Sequence, residues 1–205
     1  MEYTTITAPA SAELTEKRSR FLAVVAPARD EEQALEVVAE ERASSRDASH
    51  HVYAFITHGT SRFTDDGEPQ GTAGMPVLEV MRGAGLENAV VVVTRWFGGT
   101  LLGPGGLMRA YSQAAKLAIS VAQTVRMRRC VIFSLYCEYR SYQAVAALAA
   151  QLAGGVVDAD FGERVELRVF VPGEHAQQLL HGISELTLGS VHPEPAGEMD
   201  CESPV

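Results

Sequence analysis

Between residues 21 and 121 the spacing of apolar positions changes period several times, and each change marks an element. FLAVVAPA (21–28) predicts a strand stopped at Pro27. Asp30 then opens DEEQALEVVAEERAS, where Asp30 and Gln33 have the spacing of a capping box and Leu35, Val38 and Arg42 share one helical face. HVYAFIT (51–57) and PVLEVMR (76–82) read as strands, and AVVVVTRWF (89–97) is a continuous apolar run short enough to be a buried strand. Past a cluster of glycines, Leu107, Tyr111, Ala114, Leu117 and Val121 recur at helical spacing. The expectation for this half is a sheet of about four strands packed on two helices.

The second half is read the same way. VIFSLYCEY (131–139) alternates Val131, Phe133, Leu135 and Cys137, the period of a half-buried strand. Tyr142, Val145, Leu148, Ala149 and Leu152 make a helical stripe that ends at Gly154-Gly155. VVDADF and RVELRVFV follow as strands joined through Phe161-Gly162-Glu163, then a helix with Ala176, Leu179, Leu180, Ile183 and Leu186, then LGSVH (188–192) as a last short strand. The order is βαββαβ, the ferredoxin-like split pattern. The expected fold class is α+β with domains at 1–128 and 129–192, and an acidic, apolar-poor tail at 193–205 expected to be disordered.

Composition sharpens this picture in two places. The 205 residues are 46% hydrophobic, enough for a core, with no apolar run of membrane-spanning length and no apolar leader in MEYTTITAPASAELTEKRSR, so a soluble, cytoplasmic protein with no membrane partner is expected. The net charge of −9 is unevenly spread: residues 1–129 hold 14 Lys and Arg against 15 Asp and Glu, whereas residues 130–205 hold 3 against 11. Within 82–129, seven cations face one acid, Glu87. Cys130, Cys137 and Cys201 lack CxxC spacing and read as reduced thiols.

That positive charge surrounds TRWFGGTLLGPGGLMRAY. Gly98, Gly99, Gly103, Gly105 and Gly106 lie between a strand and a helix N-terminus, where bare backbone amides favour anions, and Arg95 and Arg109 flank them. The spacing is neither a Walker loop nor a dinucleotide fingerprint, so the loop is a structural crossover, a phosphate contact, with RNA backbone the expected anion, or a contact with a protein partner. Asp65, Asp66 and Glu68 in FTDDGEPQGTAGMP are candidate Mg²⁺ ligands or acid/base groups, or else turn residues that pin Arg95 or Arg109. His50 and His51 would point to opposite faces of a strand and cannot readily chelate one ion; His58 is a further candidate ligand. Trp96 and Phe97 offer rings either to a base or to the core. No nucleophile and no cofactor motif stands out.

Two of these stretches, DDGEPQGTAG and VVVVTRWFGGTLLGPGGLMRAY, together with KRSRF (17–21) and ASHHVYA (48–54), resemble the IMPACT/YigZ family. The resemblance implies an N-terminal α+β domain similar to domain IV of elongation factor G and a ferredoxin-like C-terminal domain similar to its domain V. Eukaryotic relatives regulate translation and associate with ribosomes, but they carry an additional N-terminal partner-binding domain expected to be absent here, so that partner-competition role is not carried over to this chain. Trp96 stands where the family often has Tyr. The resulting expectation is a non-enzymatic protein without cofactor that contacts RNA or the ribosome through Arg20, Arg95, the glycine loop and Arg109, while the acidic C-terminal domain docks protein. The alternatives are a metal-dependent hydrolase using Asp65, Asp66 and Glu68, or a pure protein-interaction module.

Overall fold

A computed structural model describes residues 2–57 and 59–203; Met1, His58 and the last two residues of the tail lie outside the described residues. Contacts cluster into two units, residues 3–126 and residues 127–203 with Glu2.

The first unit holds a sheet in the order β2-β3-β6-β4-β5, from Ala10–Glu16, Ser19–Pro27, Ala89–Trp96, His50–Thr57 and Thr60–Thr64, every neighbouring pair antiparallel. β6 is central and covered on both faces. Val91 and Val93 pack with Phe21, Val25 and Val52 beneath α2 (Gly74–Gly83) and α3 (Pro104–Val121), and Val90 and Val92 pack with Phe55 beneath α1 (Glu31–Ser44). Double coverage explains the unbroken apolar run: a strand buried on both sides has no polar face to alternate with. β1 (Glu2–Ile6) reaches the end of α2, with the Thr4 N–H donating to the Gly85 carbonyl and Ile6 entering the core.

Asp30 caps α1 by accepting from the Gln33 N–H, while the Gln33 side chain accepts from Arg29 rather than from Asp30 itself. The buried residues of α1 are Ala34 and Val38; Leu35, expected to share a face with Val38, is exposed. PVLEVMR is helix, not strand. Its Pro76, Val77, Leu78 and Met81 are buried, and Asp65, far outside the helix, accepts from the Ala73 and Gly74 amides at 3.1 and 2.8 Å. The missing cap of α2 thus comes from a distant carboxylate. The unit has five strands in this sheet and three helices, because the polar segments ASAELTE and TSRFT serve as its edge strands.

In the second unit, β7 (Thr124–Cys137), α4 (Tyr139–Gln151), β8 (Gly155–Phe161), β9 (Val165–Pro172), α5 (Ala176–Leu186) and β10 (Glu194–Glu202) give the strand order β10-β7-β9-β8, all antiparallel. Phe133, Leu135, Leu167, Val169 and Val171 pack against Val145, Ala149, Leu179 and Ile183. The left-handed residue at the end of α4 is Ala153, φ 57°, one before the expected Gly154. Two further expectations are corrected here. LGSVH is not a strand, and the acidic tail is: Glu194–Glu202 pairs along β7 from Ser134 to Met127. Arg129 lies 3.8 Å from Glu198 and 3.9 Å from Asp200, so tail acids meet strand cations across the ladder. Among the described residues no helix is long and apolar enough to cross a membrane.

Candidate functional site

Strand register builds the site. Arg95 on β6 pairs with Phe21 on β3 and His50 on β4, so these three side chains stand on one face of the sheet, beneath α3. An arginine on a buried strand face otherwise made of Ala89, Val91 and Val93 needs an anion, and Glu68 supplies it. Arg95 Nη1 donates to Glu68 Oε1 at 2.6 Å, and the Tyr111 hydroxyl of α3 donates to the same oxygen at 2.7 Å. Arg95 Nη2 donates to Ser19 Oγ at 3.2 Å. Arg95 is only 5% exposed and Glu68 8%, so Arg95 is not the surface contact expected of it: burial and a buried partner have turned it inward. Burial, reinforced by the bond to Glu68, pushes the Tyr111 hydroxyl well above its ordinary pKa, which keeps it a neutral donor.

The three carboxylates of the acidic turn do three separate jobs. Asp65 accepts from the amides of Gly71, Ala73 and Gly74 and so closes the turn onto α2. Asp66 Oδ2 accepts from the His51 N–H at 2.6 Å, and Oδ1 accepts from Arg42 Nη2 at 2.6 Å. Glu68 serves Arg95 and Tyr111. Each is committed to protein donors, and among the described residues no group of three or more His, Cys, Asp or Glu is arranged to hold a metal ion. The acidic turn does meet the strand leading into the glycine loop, through Glu68 and Arg95 rather than Asp66.

His50 and His51 face opposite ways, as adjacent strand residues must. His51 Nε2 meets the Ser45 carbonyl at 3.2 Å. His50 Nδ1 meets the Asp66 carbonyl at 2.8 Å; a carbonyl only accepts, so Nδ1 carries a proton, and Nε2 lies 3.9 Å from Glu68 Oε1.

The glycine loop, residues 97–103, leaves β6 by packing on the β2–β3 hairpin. A Cβ at Gly98 would sit 2.0 Å from the carbonyl carbon of Arg18, an approach only glycine permits. Gly99 and Gly103 have φ of +80° and +69°. The Phe97 and Gly98 amides donate to Ser49 and Ser19 hydroxyls at 3.2 and 3.3 Å. The amides from Gly99 to Leu101, and those of Gly105 and Gly106 in the uncapped first turn of α3, find no hydrogen-bond partner among the described residues. Arg109 is exposed near Gly105, and the hairpin turn beside Gly98 presents Lys17 and Arg18, both exposed with positive φ. None of these three cations has an acidic partner among the described residues, whereas Arg20 is bound by Glu13 at 2.6 and 3.1 Å and lies 4.5 Å over the Trp96 ring.

Arg95, Glu68 and His50 floor a cleft of about 370 Å³ walled by Pro69, Phe97, Leu101, Leu102, Pro104 and Leu107. A larger groove of about 700 Å³ between α2 and α3 is lined by Met75, Val80, Met108 and Ile119 with Glu79, Ser112, Lys116 and Ser120; the site is placed at the smaller cleft and its rim because that cleft holds the buried Arg95–Glu68 pair. Sequence reading missed Lys17 and Arg18 as a rim, and His50, Ser19 and Tyr111 as the cluster. The signal for the last was a lone arginine in a buried strand, which demands a buried acid.

Comparisons with known proteins align with this division. A family model described as Impact N-terminal domain matches residues 17–119, and one described as a domain of unknown function, DUF1949, matches residues 135–190. IMPACT family member YigZ of Escherichia coli (strain K12) is 34% identical over 180 residues, covering 85% of this chain and 88% of that protein. An IMPACT family member of Thermus thermophilus, in the pol 5'region, is 37% identical over 180 residues, covering 87% of this chain and 98% of that one. A crystal structure described as that of a hypothetical protein superposes with a TM-score of 0.67 at 32% identity, covering 94% of this chain and 96% of the other.

Proposed function

The chain belongs to the IMPACT family, and from that premise we propose that it is a translation-associated regulatory protein whose N-terminal unit contacts structured RNA, free or ribosomal, through the glycine loop and the basic residues around it. The observation that carries the reading is the close approach of Gly98 to Arg18, which merges two basic elements into one rim: exposed Lys17 and Arg18 on the hairpin, and bare loop amides on the strand side, with Arg109 farther along. Phosphate is the anion this chemistry suits, since amides and unpaired cations supply donors without needing a particular base. Gly98, Gly99, Gly103, Gly105 and Gly106 act through their backbone; Arg20 adds charge partly offset by Glu13; Arg95 works from inside, holding the acidic turn and, through Ser19, the loop.

The βαββαβ order of the second unit, with its strands in the order fourth, first, third, second, supports a ferredoxin-like reading. Similarity of the first unit to domain IV of elongation factor G belongs to the same proposal, as does a cytoplasmic location. The acidic second unit suits a protein rather than RNA, and the contact of half-exposed Tyr139 and Phe161 rings favours a docking role there.

The experiment is fluorescence anisotropy with a labelled RNA hairpin between about 50 and 200 mM salt, for wild type and Lys17→Ala/Arg18→Ala/Arg109→Ala. Removing one phosphate contact is expected to lower the log–log salt slope by about 1. Absence of salt-dependent binding by wild type, or an unchanged slope in the triple variant, would overturn the reading.

A further inference from the structure

We infer that the cleft floored by Glu68 and His50 is a pocket for one unstacked nucleobase that carries an amino group, a claim that rests on the RNA reading above and gives it base selectivity.

The floor offers an open acceptor. Glu68 lies 3.9 Å from His50 Nε2, whose ring is held through Nδ1 by the Asp66 carbonyl. Glu68 Oε1 is already served by Arg95 and Tyr111, whereas its second oxygen receives no hydrogen bond among the described residues. Arg95 neutralises Glu68 at 2.6 Å, so the cleft does not require a cation; it requires an N–H. A phosphate or carboxylate, offering only lone pairs, would set them against the Glu68 carboxylate.

The walls specify the rest of the ligand. Phe97 is 49% exposed and Leu101 83% exposed, on opposite ends of the glycine turn, and Leu102 and Leu107 close the interior. An apolar slot of about 370 Å³ with polar atoms at one end suits a flat heterocycle that presents donors from its edge. The loop amides lie on the chain between Phe97 and Leu107, so a nucleotide can place its base inside and its phosphate on the rim. Adenine and cytosine each offer an exocyclic amino group, and guanine an amino group beside a ring N–H. Uracil has one ring N–H set between two carbonyl oxygens, which would confront the Glu68 carboxylate.

The test is anisotropy with labelled octamers of adenylate, cytidylate and uridylate at one salt concentration, on wild type and Phe97→Ala, a substitution at a half-exposed ring that leaves the Arg95–Glu68 pair in place. Wild type should bind the adenylate and cytidylate octamers on the order of tenfold more tightly than uridylate, and Phe97→Ala should erase most of that ratio while keeping the salt slope. Salt-dependent binding with equal affinity for all three would overturn the base pocket and leave the RNA reading standing. Should no octamer bind, the hairpin titration alone decides the RNA reading, and adenosine and uridine at millimolar concentration decide the pocket separately by NMR: shifts of the His50 ring and Leu102 amide with adenosine alone support it, and their absence or equal shifts with both nucleosides overturn it.

Discussion

Arg95 Nη1 and Glu68 Oε1 lie 2.6 Å apart, both side chains almost wholly buried, and this pair joins the central strand to a turn 27 residues earlier. A buried ion pair adds little net stability against apolar replacements, but losing one member leaves a charge without compensation. Glu68→Ala is therefore expected to lower the unfolding free energy by about 3–5 kcal/mol in urea titrations. Arg95→Met/Glu68→Leu should lie closer to wild type than either single change, short of full recovery because the Tyr111 hydroxyl loses its acceptor. A Glu68→Ala variant within about 1 kcal/mol of wild type would contradict the pairing.

Gly98 and Gly103 separate two reasons for glycine. Gly98→Ala drives a Cβ into the Arg18 backbone, so the loop must lift off the hairpin; Gly103→Ala meets no atom within 4 Å and is strained only by φ of +69°. The expected cost of Gly103→Ala is about 1–2 kcal/mol, and Gly98→Ala should lower the melting temperature further. Equal shifts for the two in thermal melts would remove the close-approach argument.

Alkaline pH should destabilise the second unit. Burial, and then the contact with the Cys201 thiol, pushes the Cys130 thiol up to about 12 from an ordinary value of 9.0. The folded value is the higher one, so this contribution is intact below pH 9 and is lost as pH rises toward 12, where only the unfolded chain releases the proton readily. The urea midpoint followed by far-UV circular dichroism should fall across that interval and fall less steeply in Cys130→Ala. Some decline will remain, because burial also raises the Cys137 thiol and the Tyr111 hydroxyl.

The pairing of β10 predicts protection where composition suggests none. A glutamate-specific protease should spare Glu198 under native conditions, since Glu194–Glu202 is laddered onto β7. Truncation after His192 would bare the β7 edge from Met127 to Ser134 and should produce concentration-dependent association by light scattering. Ready cleavage at Glu198 would count against the strand.

How much was legible follows from where the physical cause lay. β6 could be read because its burial on both faces is written as consecutive valines, and α3 because Leu107, Tyr111 and Ala114 keep helical period. PVLEVMR deceived because valines favour strands locally; the helix depends on Asp65 capping it from outside and on the sheet burying Val77, Leu78 and Met81. The acidic tail deceived in a similar way, since an edge strand is held by backbone bonds and by Arg129 rather than by apolar residues. At the site, Asp65, Asp66 and Glu68 were visible as a cluster, but their division among three separate partners was not.

The sequence alone determined the alternation of elements, the two-part organisation of charge, and the presence of a glycine loop beside arginines, because periodicity, composition and backbone freedom are properties of neighbouring residues. Which arginine faces solvent and which is buried was decided only by the tertiary structure. Register sets Arg95 beside His50, the turn brings Glu68 to 2.6 Å, and α3 closes over both; each contact joins residues distant along the chain, so no local pattern encodes it.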